Sequence, residues 1–294
     1  MRAVVLLGLL LLAACQVVPP ALPGWQSPEG REHPQLGQII ELRSGAVLSP
    51  AQLVERLARA DRVLVGERHD NPDHHTLQLW LLRALAAQRS QGSLLLEMLN
   101  PDQQARVEQV RAQLAAGQAP QDMLQALAWQ RGWAWSQYGP LLQHALRQPY
   151  ALLAANLDRR EVLAIYSQVP ELSGAAATAA PVREALLGQI RRSHCDLLPE
   201  SQLPAMLAVQ QQRDRRMAEA LLAAPTPSLL IAGAFHVRRD LGVPLHLSDL
   251  GERGATAVLI LAEVGSELSA AQADYLWLTP AQPEQDHCAS LRRG

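Results

Sequence analysis

The sequence predicts an α/β fold, a mostly parallel sheet flanked by helices with a helical cap subdomain. Three observations lead there. Short apolar runs at 63–65, 93–96, 150–155, 228–233 and 257–262 alternate with helical segments. This is the pattern of strands buried on both faces and joined by crossover helices. Polar residues fall just past these runs: Glu67 and His69, Glu97, Asn156 with Arg159, and His236 with Arg238. In an open α/β sheet the carboxyl ends of the strands are where ligands bind. Two of the runs are followed by Asn-Pro-Asp, at 71–73 and 100–102, which reads as the N-cap, first residue and first-turn acid of a helix.

Taken in order, residues 1–14 have signal-peptide proportions: a basic start at Arg2 and an apolar run too short to span a bilayer. Leu12, Ala13, Ala14 and Cys15 fit a bacterial lipobox, so Cys15 is the expected lipidation site. Gln16 follows rather than the aspartate that retains lipoproteins in the inner membrane, which implies the outer membrane facing the periplasm. The proline-rich stretch 15–36 reads as a lipidated tether. Residues 37–280 then form one α/β domain with helical insertions at about 101–147 and 171–223, and 281–294 a C-terminal tail.

Within the domain, 38–42 and 45–48 predict a hairpin, and Ser49-Pro50 caps a helix whose Leu53, Val54 and Leu57 share a face. The strand at 63–65 and a helix over 72–88 follow, then the strand at 93–96. Trp129 and Trp133 are spaced to share a helix face, as core or as a flat wall for a planar ligand. The alanine-rich 171–181 reads as a mobile strip, and 275–278 as a last strand.

Net charge is −2, and all 26 basic residues are arginines scattered along the chain, which excludes a nucleic-acid footprint. Past Cys15 only Cys195 and Cys288 remain. An oxidising compartment allows them to pair, closing a loop worth ~4–5 kcal/mol in the chain-entropy model.

Glu67 and His69, two apart, face the same way in extended chain. They serve either a ligand or the helix N-terminus that follows. Glu97 repeats the arrangement on the next strand. If the two strands are neighbours, the carboxylates converge and either share a cation or raise each other's pKa. Otherwise each acid favours its own helix dipole.

Gly66, Glu67, His69, Asp70, Asn71, His74 and His75 resemble the signature of the ChaN family of haem-binding lipoproteins. Leu96-Glu97-Met98, Tyr138 with Pro140, Asn156 with Arg159, Gln210 through Ala218, and His236 through Pro244 extend the likeness over most of the chain. Phe235, the chain's one Phe, departs from it where a small residue is expected. The resemblance implies haem as cofactor, a role in haem and iron uptake, a haem-dependent homodimer and an outer-membrane haem receptor as partner. The polar residues at separate strand ends predict that Glu67, His69, Glu97 and His236 lie in one pocket at the carboxyl edge of the sheet, with His74, His75, Asn156 and Arg238 as its further candidate residues. The wider superfamily includes erythromycin esterases and Tiki-type metallopeptidases. That keeps a second reading, a hydrolase in which Glu67, His69, Glu97 and His236 hold a metal or activate water. The family favours a tyrosine on the iron. Tyr166 is the leading candidate here, with Tyr138 and His194 as alternatives and Arg159 or Arg160 near the propionates.

Overall fold

The computed structural model describes residues 20–286, 288 and 289. The expected signal peptide and Cys15 lie outside them. In chain order the first elements are β1 (Ile39–Glu41), β2 (Ala46–Leu48), α1 (Pro50–Ala58), β3 (Arg62–Glu67), α2 (Pro72–Gln88) and β4 (Ser93–Leu96). Next come α3 (Gln104–Ala115), α4 (Met123–Ala126), α5 (Trp135–Ala145), β5 (Ala151–Ala154), α6 (Arg159–Ser167), α7 (Ala180–Ser193) and α8 (Leu203–Ala223). The chain continues through β6 (Ser228–Gly233), α9 (Ala234–Val237), α10 (Val243–Asp249), β7 (Thr256–Glu263) and β8 (Tyr275–Thr279).

The strands form one mixed sheet in the order β2-β1-β8-β7-β3-β6-β4-β5. The six strands from β8 to β5 run parallel, and the β1–β2 hairpin joins through an antiparallel pairing of β1 with β8. β3 sits in the middle and is buried at every position. One face of the sheet, carrying Val63, Val65, Leu94 and Leu96, packs under α1, α2, α3 and α5. The other, carrying Leu64, Leu95, Leu230 and Val258, packs under α8, α9 and α10. The alternation follows from the two-residue period of a strand. Residues 101–147 thus join the main core, whereas α7 and the start of α8 gather a smaller core of their own around Leu186, Ile190, Leu203 and Leu207.

Both sheet edges are short. At the β5 edge the Gln104 side chain supplies what a further strand would: its amide donates to Leu152 O at 3.0 Å, and its oxygen accepts from Ala154 N at 2.8 Å.

One open condition is settled and three expectations need correction. β3 and β4 are not neighbours, because β6 lies between them. The tether is docked from Pro20 onward: the Asp73 carboxylate accepts the amides of Gln26 and Ser27 at 2.7 and 2.8 Å, and the Trp80 indole donates to Pro20 O at 2.7 Å. The 171–181 strip is pinned: Asp249 accepts the Ala176 and Ala177 amides, both at 2.8 Å, and Gln211 donates to Ala177 O. Trp129 and Trp133 lie in the α4–α5 loop rather than on a helix. Ala128 at φ +47° ends α4, and the Trp129 indole closes the loop onto Trp133 O.

Candidate functional site

Glu67 ends β3, and its register partner on β6 is Gly233. Glu97 follows β4 on the far side of β6. The residue between the two carboxylates therefore has no side chain. A Cβ on Gly233 would stand 2.8 Å from His69 Nε2 and 3.6 Å from Glu97 Oε2. That glycine lets the polar groups of three strand ends meet.

Glu67 is buried, and its charge is spread over several donors. Tyr138 OH donates to Oε1 at 2.6 Å, His69 Nδ1 donates to the same oxygen at 2.9 Å, and the Gln78 amide donates to Oε2. His75 Nδ1 lies 3.1 Å from Oε2 but out of line for a hydrogen bond, while its Nε2 donates to His69 O at 3.0 Å. Burial alone would raise the Glu67 pKa, but the His69 hydrogen bond and the close approach of the His75 ring outweigh it and hold the carboxyl well below the usual range. Burial and the adjacent carboxylate push the Tyr138 phenol far above its ordinary value, so it is a fixed donor.

Glu97 forms the second half. Its Oε2 accepts from Gly233 N at 2.7 Å, and its Oε1 lies 3.3 Å from His236 Nε2. His236 Nδ1 is held by Asp214, with the Gln210 amide 3.1 Å away. Burial opposes charge on this ring, yet Glu97 and Asp214 prevail and raise its pKa to about 10. Burial likewise opposes charge on Glu97, and His236 and His69 bring it down to about 2. His69 bridges the halves, with Nε2 4.0 Å from Glu97 Oε2 and its ring in edge-to-face contact with Trp133, ring centroids 4.9 Å apart. Its pKa is raised: burial lowers it, but Glu67 and Glu97 count for more.

A cavity of about 520 Å³ opens over this floor, lined by His69 and His236 together with Phe235, Ile260 and Leu268, a volume within the range of small-molecule sites. Phe235, the departure noted in the sequence, stands on its wall beneath the Arg238 guanidinium, 5.6 Å from the ring centre. Among the described residues no three His, Cys, Asp or Glu side chains are placed to hold one metal ion, so the geometry gives the metal-dependent reading no ligand set.

The structure thus brings together Glu67, His69, His75, Glu97 and His236. Asn156 supports them from behind, its amide donating to Glu97 O at 2.9 Å. Arg238 lines the cavity but is tied to Asp240. His74 is not part of the site. It is buried, accepts from Arg68 N at 2.9 Å and meets Thr279 Oγ1 at 3.0 Å, and burial drops its pKa to about 3. Tyr166, Arg159 and Arg160 lie on α6, outside the cavity lining. His194 follows α7 with Nδ1 on Ile190 O. Cys195 is disulfide-bonded to Cys288.

Sequence reasoning missed Gly233, Gln78 and Asp214 as site residues. Asp214 had a signal: with Leu207, Gln211, Ala218 and Leu221 it falls on the buried stripe of α8, where an unpaired acid is costly.

These pKa shifts fix the sign of the pH dependence. His236, raised, contributes stability that is fully present below 6.5 and lost as pH rises through about 10. His74, lowered, contributes stability present above 6.5 and lost as pH falls toward about 3. Glu97 adds a further loss as pH falls from 4.5 toward about 2. Urea denaturation across pH is expected to show greatest stability near 6.5, with a decline on both sides. In a His236→Gln variant the alkaline decline should flatten.

The family described as haem-binding uptake, Tiki superfamily, ChaN, matches residues 53–247. The structure titled as cofacial haem binding to ChaN of Campylobacter jejuni superposes with a TM-score of 0.76 at 28% identity, covering 83% of this chain and 97% of that one. An erythromycin esterase mutant in its open conformation aligns with a TM-score of 0.45 at 15% identity, over 82% of this chain and 81% of its own. No curated protein matches. With about two thirds of its length matched by the family model, the chain belongs to the haem-binding uptake family of the Tiki superfamily, ChaN.

Proposed function

We propose that this is a lipid-anchored haem-binding protein that serves haem and iron uptake at the outer membrane, with haem carried on α6. The observation that carries this reading is α6 itself, a nine-residue helix with no buried side chain. Arg159, Leu163 and Tyr166, spaced i, i+4 and i+7, form one stripe about 10 Å long. Leu163 is 56% exposed, Tyr166 40%, and Val169 just beyond the helix 46%. A basic group, an apolar face and a phenol in line suit a flat amphipathic ligand with propionates at one edge.

Tyrosine is an established axial ligand of haem iron. Of the four tyrosines, Tyr138 is buried with its hydroxyl committed to Glu67, Tyr150 is buried, and Tyr275 begins β8 beside β1. Tyr166 is the exposed one, its hydroxyl resting on the Met206 sulfur. Arg159 and Arg160 have no carboxylate partner among the described residues and are available to propionates. The Campylobacter protein binds haem cofacially. A second copy here would cover Leu163 and Val169 along with the ligand, so dimerisation follows haem. An outer-membrane haem receptor is the supplier this placement calls for.

Hemin titration tests the reading. The wild-type protein should give a saturable Soret shift and a rise in sedimentation coefficient. Tyr166→Phe should lower affinity at least tenfold and abolish the high-spin ferric spectrum with the fold intact. An unchanged titration in that variant, with loss in His194→Ala, would move the iron to His194.

Anchoring rests on the lipobox ending at Cys15. No helix among the described residues is long and apolar enough to cross a membrane. Cells fed a labelled fatty acid should label the wild-type chain and not Cys15→Ser. Label persisting in that variant would refute the anchor.

A further inference from the structure

We propose that the outer surface of α2, with the stretch 20–25 that lies beside it, rests on a phospholipid bilayer, so that the sheet stands between the lipid and α6. This orientation rests on the lipid anchor read at Cys15. It follows from the point at which the chain becomes fixed. The Trp80 indole on α2 donates to Pro20 O at 2.7 Å. A little further on, the buried Asp73 carboxylate accepts the amides of Gln26 and Ser27 at 2.7 and 2.8 Å, and Glu29 pairs with Ala281 beyond β8. A carboxylate that accepts backbone amides holds them strongly, so the lead is clamped to the first turn of α2. Pro20 is five residues after Cys15. Even fully extended, that length reaches about 18 Å, so a lipid on Cys15 keeps the surface around Pro20 close to the bilayer.

The chemistry of this surface suits that neighbour. Residues 16–25 carry no charge and run Gln-Val-Val-Pro-Pro-Ala-Leu-Pro-Gly-Trp. Leu22 is 46% exposed, and Trp25 is partly buried against the core. One turn along α2 from Trp80, Arg83 is exposed and has no carboxylate partner among the described residues. An arginine beside apolar and aromatic residues matches the boundary between phosphate headgroups and acyl chains.

The fold decides what faces the other way. α2 packs on the sheet face carrying Val63 and Val65, and α8 on the face carrying Leu64 and Leu230. α6 joins α8 through the Glu161–Arg216 pair and the contact of Tyr166 with Met206. The ligand surface proposed on α6 is thereby turned from the lipid and left open to solvent.

The test uses the full-length lipidated protein in vesicles of phosphatidylethanolamine and phosphatidylglycerol. Cysteines are introduced singly as Leu22→Cys, Arg83→Cys or Leu163→Cys, while Cys195 and Cys288 stay blocked in their disulfide. Each variant is compared with its unlipidated Cys15→Ser form in solution, and circular dichroism confirms that it is folded. A surface seated in the headgroup boundary is shielded from a bulky polymer-linked maleimide, so Leu22→Cys and Arg83→Cys should react about tenfold more slowly on vesicles. Leu163→Cys should react at the same rate in both settings. A long Gly/Ser insert between Val18 and Pro19 should return the slowed rates to the solution value. Protection that survives the insert would overturn tether length as the cause. Equal slowing at all three positions, or slowing of Leu163→Cys alone, would overturn the orientation. Fatty-acid labelling of the same preparations keeps the two readings apart. Without label, the anchor fails and the orientation with it; with label and rates unchanged by lipid, only the orientation fails.

Discussion

Replacing Glu67 with alanine is expected to destabilise the protein by about 3–5 kcal/mol, the cost of removing one member of a buried charged network. The variant leaves the Tyr138 hydroxyl and the Gln78 amide without their acceptor, the His69 ring without its counter-charge, and the His75 ring without the carboxylate 3.1 Å away. Tyr138 on α5 and Gln78 on α2 are both buried and cannot turn to solvent without opening the contact between those helices. Chemical denaturation should show a lower midpoint with an unchanged slope. Tyr138→Phe should cost less, about 1–3 kcal/mol, since it deletes one donor to an anion that keeps others. The double variant should be more stable than the sum of the two losses implies, because the pair is in contact. Strict additivity would show that Tyr138 and Glu67 stabilise the fold independently.

The second large effect belongs to the disulfide. Cys195 and Cys288 are 93 residues apart in sequence, with Cα atoms 5.6 Å apart. A loop of that length corresponds to ~4–5 kcal/mol in the chain-entropy model. Cys195→Ser should therefore lower the unfolding free energy by several kcal/mol. Denaturation of the wild type with and without reductant should reproduce the difference. The bridge ties the end of α7 to the C-terminal segment, so limited proteolysis of the variant should begin near 281–289. A reduced protein as stable as the oxidised one would refute the contribution.

The parts of this fold that were legible were those written in local pattern. Val63–Val65 and Leu94–Leu96 read as strands because burial on both faces leaves no room for polar residues. Glu67 and His69 were legible as a pair because they interrupt such a run at its carboxyl end. The order of the sheet was not legible. That β6 lies between β3 and β4 is a pairing across more than 130 residues, and no spacing in either segment encodes it. The convergence of Glu67 and Glu97 depends on Gly233, whose contribution is the absence of a side chain. The docked tether was misread for a similar reason. Prolines announce extended chain, but the groups that hold it, Asp73 and Trp80, lie about 50 residues on. His74 shows the converse failure. Its neighbour His75 belongs to the site, yet one helical position turns His74 toward β8, where it serves as a neutral latch.

The Gln104 side chain that lies along β5 bears on a hazard unrelated to ligands. A parallel sheet exposes, at each edge, a ladder of unpaired amides and carbonyls that templates the addition of another chain. Wherever copies of the chain are crowded together, such pairing is favoured. Here β2, at one edge, is only three residues long. At the other, Gln104 already occupies the outward donor and acceptor of β5. Self-association through strand addition is thus disfavoured at both ends of the sheet, and one amide side chain in the first turn of a helix protects a wholly parallel edge from aggregation.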